Sequence, residues 1–104
     1  MEFKIENGVL LKYEGSENEI VIPDGVESIA RGAFSNCKTL TTVSFPSSLK
    51  SIGIDAFWHC RSLTRIEIPD SVTNIERMAF YGCKGLTSVT IPEGVTSIGY
   101  YAFM

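Results

Sequence analysis

The chain has 104 residues, 44% of them apolar and 20% charged, with a formal net charge of −3. That is the size of one domain and the composition of a folded one. The acidic balance argues against a general nucleic-acid binder or a polybasic membrane binder, and the apolar runs are too short for a membrane-spanning helix or a signal-peptide core.

Residues 1–17 open the chain with Phe3, Ile5, Val9, Leu11 and Tyr13 alternating around Asn7-Gly8. This predicts a β-hairpin on a type I′ turn, because both turn residues must take positive φ and Asn-Gly does so at least cost. Gly15-Ser16 follows as a turn. The hairpin is expected to cover the open edge of what comes next. Acids gather here: residues 1–27 hold seven against Lys4 and Lys12, and the remainder holds five against seven bases. This reads as a solubilising polar cap, or as opposite ends that attract between molecules.

From Ile20 onward the sequence repeats every 23 residues. Ile22-Pro23, Phe45-Pro46, Ile68-Pro69 and Ile91-Pro92 recur at that step, as do Ala33-Phe34, Ala56-Phe57, Ala79-Phe80 and Ala102-Phe103. Val26, Leu49, Val72 and Val95 form another column, and Ile29, Ile52, Ile75 and Ile98 a further one. Cys37, Cys60 and Cys83 also share a column, as do Leu40, Leu63 and Leu86. Fixed apolar columns at a constant period predict a solenoid, since one copy cannot bury its own face.

Within each coil, the segment Leu-x-x-Val-x-Phe-Pro (40–46) ends in strand-like alternation, and proline closes the strand because it cannot donate to a ladder. Asp24-Gly25, Ser47-Ser48, Asp70-Ser71 and Glu93-Gly94 supply turn chemistry. Val26-Glu-Ser-Ile29 and its copies predict a second, kinked or loose extended piece. Ala-Phe-x-x-Cys (33–37, 56–60, 79–83) predicts a single helical or 3₁₀ turn at a corner. Equivalent strands should pair in parallel from coil to coil. On this reading Val95, Ile98 and Phe103 lie on an unshielded last coil, so the array continues in a longer chain, a partner covers it, or it frays.

These columns resemble the BspA-like leucine-rich repeats, also called the Treponema pallidum class. The match is carried by Leu63-Thr-Arg-Ile66-Glu-Ile68-Pro69-Asp-Ser-Val72-Thr-Asn-Ile75 and Ala79-Phe80-Tyr-Gly-Cys83, with Phe3-Lys-Ile-Glu-Asn-Gly-Val-Leu-Leu-Lys-Tyr as the lead-in. The resemblance implies a leucine-rich-repeat solenoid of the α/β horseshoe class, β-rich, with about four coils over residues 18–104 and a hairpin cap over 1–17. It also implies protein recognition, often at a cell surface, with no catalytic residues to carry over. Two departures stand in its glycine column, Ala30 and Glu76.

No enzyme chemistry is assembled by spacing. Three cysteines in one column, with no Cys-x-x-Cys, read as buried free thiols. His59 has no convergent ligands for a metal and no nucleophile motif beside it. No nucleotide fingerprint or zinc-helix motif occurs, so no cofactor, metal or catalytic residue is expected.

Function therefore falls to the non-core columns. Alternation along the Leu-x-x-Ile-x-Ile strand points Glu19, Val21, Thr42, Ser44, Arg65, Glu67, Ser88 and Thr90 outward. At the corners, Ile54, Trp58, Tyr81 and Tyr100 form an apolar-aromatic strip flanked by Arg31 and Arg77, if both columns point outward. These residue types favour interface hot spots. Four strands about 4.8 Å apart and four residues tall give a face of about 250 Å², against roughly 800 Å² per partner in a standard interface. The expected function is a non-enzymatic protein-interaction module. The alternatives are a self-assembling unit that joins through its last coil or its strip, and an adhesin repeat that binds glycan or matrix. Localisation stays open: the resemblance suggests export, whereas unpaired cysteines and the lack of a signal peptide suggest the cytoplasm or a trimmed chain.

Overall fold

A computed structural model describes residues 2–104. β1 (Glu2–Glu6) and β2 (Val9–Glu14) form the hairpin, and Asn7 and Gly8 take φ of 51° and 80° as a type I′ turn requires. The register shifts between Lys4 and Ile5, which puts a bulge in β2. The bulge corrects the simple alternation: Leu10 and Tyr13 are buried, while Leu11 turns to solvent. Two residues three apart can face the same side only if one extra residue is accommodated.

The solenoid follows as β3 (Glu19–Val21), β4 (Ser28–Ile29), β5 (Thr42–Ser44), β6 (Ser51–Ile52), β7 (Arg65–Glu67), β8 (Asn74–Ile75), β9 (Ser88–Thr90) and β10 (Ser97–Ile98). The continuous sheet runs through the short pieces, in the order β1-β2-β4-β6-β8-β10. The hairpin thus joins the array as a first rung, with Leu10 opposite Ile29 in parallel. The three-residue strands pair only in twos, β3 with β5 and β7 with β9. The break falls where Phe45 replaces isoleucine in its column. Its larger ring stays half-buried and turns edge-on to Phe57 at 5.9 Å. Ile22 and Ile68 each donate a backbone bond to the next coil (3.0 Å), and among the described residues Phe45 has no counterpart.

The corners are not helical. Each holds left-handed residues, Gly32 and Asn36, then Asp55 and His59, then Met78 and Gly82, with Tyr101 beginning the fourth. A left-handed residue on either side of Ala-Phe stops helical propagation. Alternate corner N–H groups therefore donate to the following coil: Gly32 to Ile54, Phe34 to Ala56, Asn36 to Trp58, and Phe57 to Ala79. Just after each short strand of the six-stranded sheet the direction reverses, with Ala30 donating to Leu10, Gly53 to Ile29 and Glu76 to Ile52.

The core is a file of rings along the axis. Phe34 stacks on Phe57 with centroids 4.8 Å apart, Phe57 on Phe80 at 5.1 Å, and Phe80 on Phe103 at 5.1 Å, all within 8° of parallel. Tyr13 and then Phe3 extend the file into the hairpin. The isoleucine, valine and leucine columns pack around it, and among the described residues no polar or charged residue is fully buried. The apolar columns open in the fourth coil, where Val89, Ile91 and Ile98 are exposed and Val95 and Phe103 half-buried.

Candidate functional site

The outward strand columns stand as alternation places them. Val21, Ser44, Arg65, Glu67, Ser88 and Thr90 are exposed and Thr42 is half-buried. Arg65 and Glu67, two residues apart and so on one side of β7, form an ion pair of 2.7 Å. A shallow depression of about 300 Å³ lies across the gap between β5 and β7, lined by Glu19, Val21, Thr42, Ser44, Arg65 and Glu67 above Ile20 and Val43. Ser88 and Thr90 pair with Arg65 and Glu67 on the far side of β7 but do not line it.

The corner columns gather differently from expectation. Trp58 and Tyr81 are half-buried and do not touch directly; the imidazole of His59 lies between them, 3.8 Å from Trp58 and 5.8 Å from Tyr81 by ring centroids. Tyr81 then meets Tyr101 edge-on at 6.4 Å, and Tyr101 meets Tyr100 at 5.4 Å. The strip is thus five rings long, and His59 and Tyr101 complete it. Ile54 is half-buried and Arg31 and Arg77 are exposed, in the column that ends at Tyr100.

His59 and Tyr101 both occupy left-handed backbone, at φ of 57° and 58°. A non-glycine residue there costs about 1–2 kcal/mol. The column of His59 elsewhere holds Asn36 and Gly82, which tolerate this conformation, and that of Tyr101 holds Gly32, Asp55 and Met78, so a left-handed residue here is a regular feature of the corner. Gly82 also makes room for the histidine, because a Cβ at that position would meet the imidazole at 2.5 Å. The column Asn36–His59–Gly82 is the available sequence signal: asparagine, histidine and glycine are all types that favour left-handed backbone.

The thiol column is chemically quiet. Cys60 and Cys83 are buried, and their thiols donate to Phe34 O and Phe57 O at 3.0 and 3.2 Å. The hydrogen bond with Cys37 and burial push Cys60 far up, burial pushes Cys83 up to about 11, and the bond from Cys60 lowers half-buried Cys37. Alkylation at pH 8 should label Cys37 first and the other two only on unfolding, countable by intact mass. Thiols whose folded values are raised favour the fold while they stay protonated. Stability is therefore expected to hold below the ordinary value of 9.0 and to fall as pH rises toward 11. Melting scans should show that slope, and replacing Cys60 and Cys83 with alanine should flatten it.

No group of three or more metal-ligating side chains occurs among the described residues, and no helix there is long and apolar enough to cross a membrane.

The sequence matches the model of the BspA type leucine rich repeat region over residues 4–104, in six copies. No curated protein matches it. Among solved structures, a leucine rich repeat protein of T. pallidum superposes with a TM-score of 0.86 at 28% identity, covering 98% of this chain and 63% of that one. A leucine rich cell surface protein of Faecalibacterium prausnitzii gives 0.83 at 37% identity, over 91% of this chain and 29% of that one. A leucine-rich repeat protein of Bacteroides ovatus gives 0.66 at 32% identity, over 72% and 21%. The chain thus spans less than two thirds of each of these structures.

Proposed function

Because this chain belongs to the BspA-type leucine-rich repeat family, we propose that it is a non-enzymatic module that recognises a protein partner through the outer face of β3, β5, β7 and β9. The depression across the β5–β7 gap carries this reading, since it joins mixed charge, small hydroxyls and the exposed Val21 at the centre of a rigid face. The face is small, so a partner held there alone binds weakly, and tight binding needs contacts beyond it. A cell-surface setting is supported by the surface protein of F. prausnitzii that it resembles.

The test is charge reversal. Arg65→Glu with Glu67→Arg should reduce capture of surface-presented proteins about tenfold or more, the scale of one to two kcal/mol of rim and pocket contacts. Lys50→Glu, an exposed residue just before β6 and away from the depression, should leave capture unchanged. Equal capture by all three proteins would remove the strand face from the function.

A second reading rests on the open fourth coil. Val89, Ile91, Ile98 and Met104 are exposed there, beside a hollow of about 260 Å³ lined by Leu86, Val89, Phe103 and Met104. Two copies meeting on this face would each bury about 500 Å², judged from a cross-section about 30 by 18 Å, which is under the roughly 800 Å² of a stable pair. The resulting dimer would dissociate on dilution. Light scattering across a dilution series, repeated with Ile98→Lys, tests it: a mass that is monomeric throughout, or unmoved by the lysine, counts against this reading.

A further inference from the structure

We propose that Cys37 and Cys60 are a peroxide-responsive pair: Cys37 is oxidised first, and Cys60 resolves it into a disulfide that ties the first coil to the second. This is a modification site apart from the strand face, and it does not depend on that face.

Placement carries the proposal. Equivalent residues of neighbouring coils stand about 4.8 Å apart, as the stacked rings of Phe34 and Phe57 do. A disulfide needs Cα atoms about 4.4–6.8 Å apart. Two sets of hydrogen bonds fix how the two cysteines face each other. Asn36 N–H donates to Trp58 O at 2.8 Å, which sets the register beside Cys37. The Cys37 N–H and the Cys60 thiol then converge on one acceptor, Phe34 O, at 3.2 and 3.0 Å. The Cys60 sulfur therefore leans back over the first coil, on the side of Cys37. Its single proton has two acceptors in reach, Phe34 O and the Cys37 sulfur.

Exposure divides the roles. Cys37 is half-buried and open to a small solute, whereas Cys60 is completely buried. The proton that Cys60 offers favours a thiolate on Cys37, and the thiolate is the nucleophile. An accessible thiol that favours its thiolate, beside a second thiol able to resolve it, is the arrangement of a redox-sensing cysteine. Cys83 is buried, and its thiol donates to Phe57 O at 3.2 Å. Its neighbour in the column is buried Cys60, so no oxidant reaches that second pair. The column is quiet until an oxidant small enough to meet Cys37 arrives.

Hydrogen peroxide is such an oxidant, and the chemistry balances with it. The Cys37 thiolate attacks one peroxide oxygen and the O–O bond breaks. Cys37 becomes a sulfenic acid, and the departing hydroxide takes a proton from solvent to leave as water. The Cys60 sulfur then attacks the Cys37 sulfur. The S–S bond forms as the S–O bond breaks, and the hydroxyl leaves as a second water with the Cys60 proton. The two sulfurs together lose two electrons, and one peroxide is reduced to two waters.

The full chain is treated with hydrogen peroxide and followed by intact mass, alkylation and peptide mapping. It should lose about 2 Da, the two thiol hydrogens, and give one peptide pair linked through Cys37 and Cys60. Cys37 should lose its fast alkylation, Cys83 should stay free, and dithiothreitol should reverse the change. The melting temperature should rise by several degrees, because the cross-link restricts the unfolded chain. Cys60→Ala should abolish the disulfide and send Cys37 on to sulfinic and sulfonic acids, a gain of about 32–48 Da. Cys83→Ala should leave the Cys37–Cys60 bond forming as before. A treated protein whose Cys37 still alkylates at the untreated rate would overturn the proposal. So would a bond mapped to Cys60 and Cys83 or between two molecules, or an undiminished 2 Da loss in Cys60→Ala, about the mass of two hydrogens. A melting temperature lowered by oxidation would overturn it too, since the bond would then form only by distorting the coils.

Discussion

Replacing Phe57 with alanine is expected to destabilise the fold by about 3–5 kcal/mol, the cost of truncating a fully buried aromatic and leaving a cavity. Phe57 is completely inaccessible and has three ring neighbours: Phe34 and Phe80 stacked above and below, and Phe45 edge-on. At about 4–8 °C per kcal/mol for a domain of this size, the melting temperature should drop by tens of degrees. In a solenoid the damage is not local, because each coil is stabilised chiefly by its neighbours. Cutting the ring file at the second coil weakens the interfaces on both sides. Phe103→Ala is the internal comparison. That ring is half-buried and has one stacking partner, so its loss should cost less than half as much. Similar losses in the two variants, measured by urea denaturation, would show that the file is not the axis of stability.

Removing residues 1–14 should have the second large effect. The hairpin contributes Leu10 and Tyr13 to the core, and Tyr13 covers the outer face of Phe34 at 5.3 Å. It also satisfies the first coil's backbone. Gly8 accepts from Glu27 and Ser28, Leu10 accepts from Ala30, and Tyr13 donates to Ala33. Losing a buried leucine costs about 2–5 kcal/mol and a buried aromatic about 3–5, which together rival the whole stability of a small domain. The shortened chain should lose protection at β4 and the Ala33-Phe34 corner in hydrogen exchange, and should associate through its bare strand edge. Asn7→Ala, which changes only the turn, should cost about 1 kcal/mol and leave the protein monodisperse. A shortened chain that melts cooperatively at the parent temperature would mean the hairpin is an appendage and the coils fold without it.

The repeat made most of the architecture readable. A residue that recurs every 23 positions meets its own copy in the next coil, so column identity reports directly on burial. That logic places the phenylalanine file, the isoleucine column of β4, β6, β8 and β10, and the outward set around Arg65 and Glu67. It cannot say which of two extended segments makes the unbroken sheet. That depends on one departure inside a column, Phe45, whose bulk is felt in the ladder and not in the hydropathy pattern. The corners were misread as helical because Ala-Phe-x-x-Cys has helical spacing. The left-handed residues that prevent it include Met78 and Tyr101, whose types do not announce positive φ. The same blindness hid His59 and Tyr101 from the strip. Column membership says whether a side chain repeats, not that an unusual backbone angle swings it between two neighbours.

The opposed directions of the coil-to-coil hydrogen bonds have an electrical consequence. Alternate corner N–H groups point toward the fourth coil, while at the ends of the short strands Ala30, Gly53 and Glu76 point theirs toward the hairpin. Peptide dipoles that would add along an α-helix here run in two antiparallel rows and largely cancel. Lengthening such an array adds stacking and hydrogen bonds without building up charge at its ends. Its growth therefore carries little electrostatic penalty from aligned dipoles, unlike that of an α-helix.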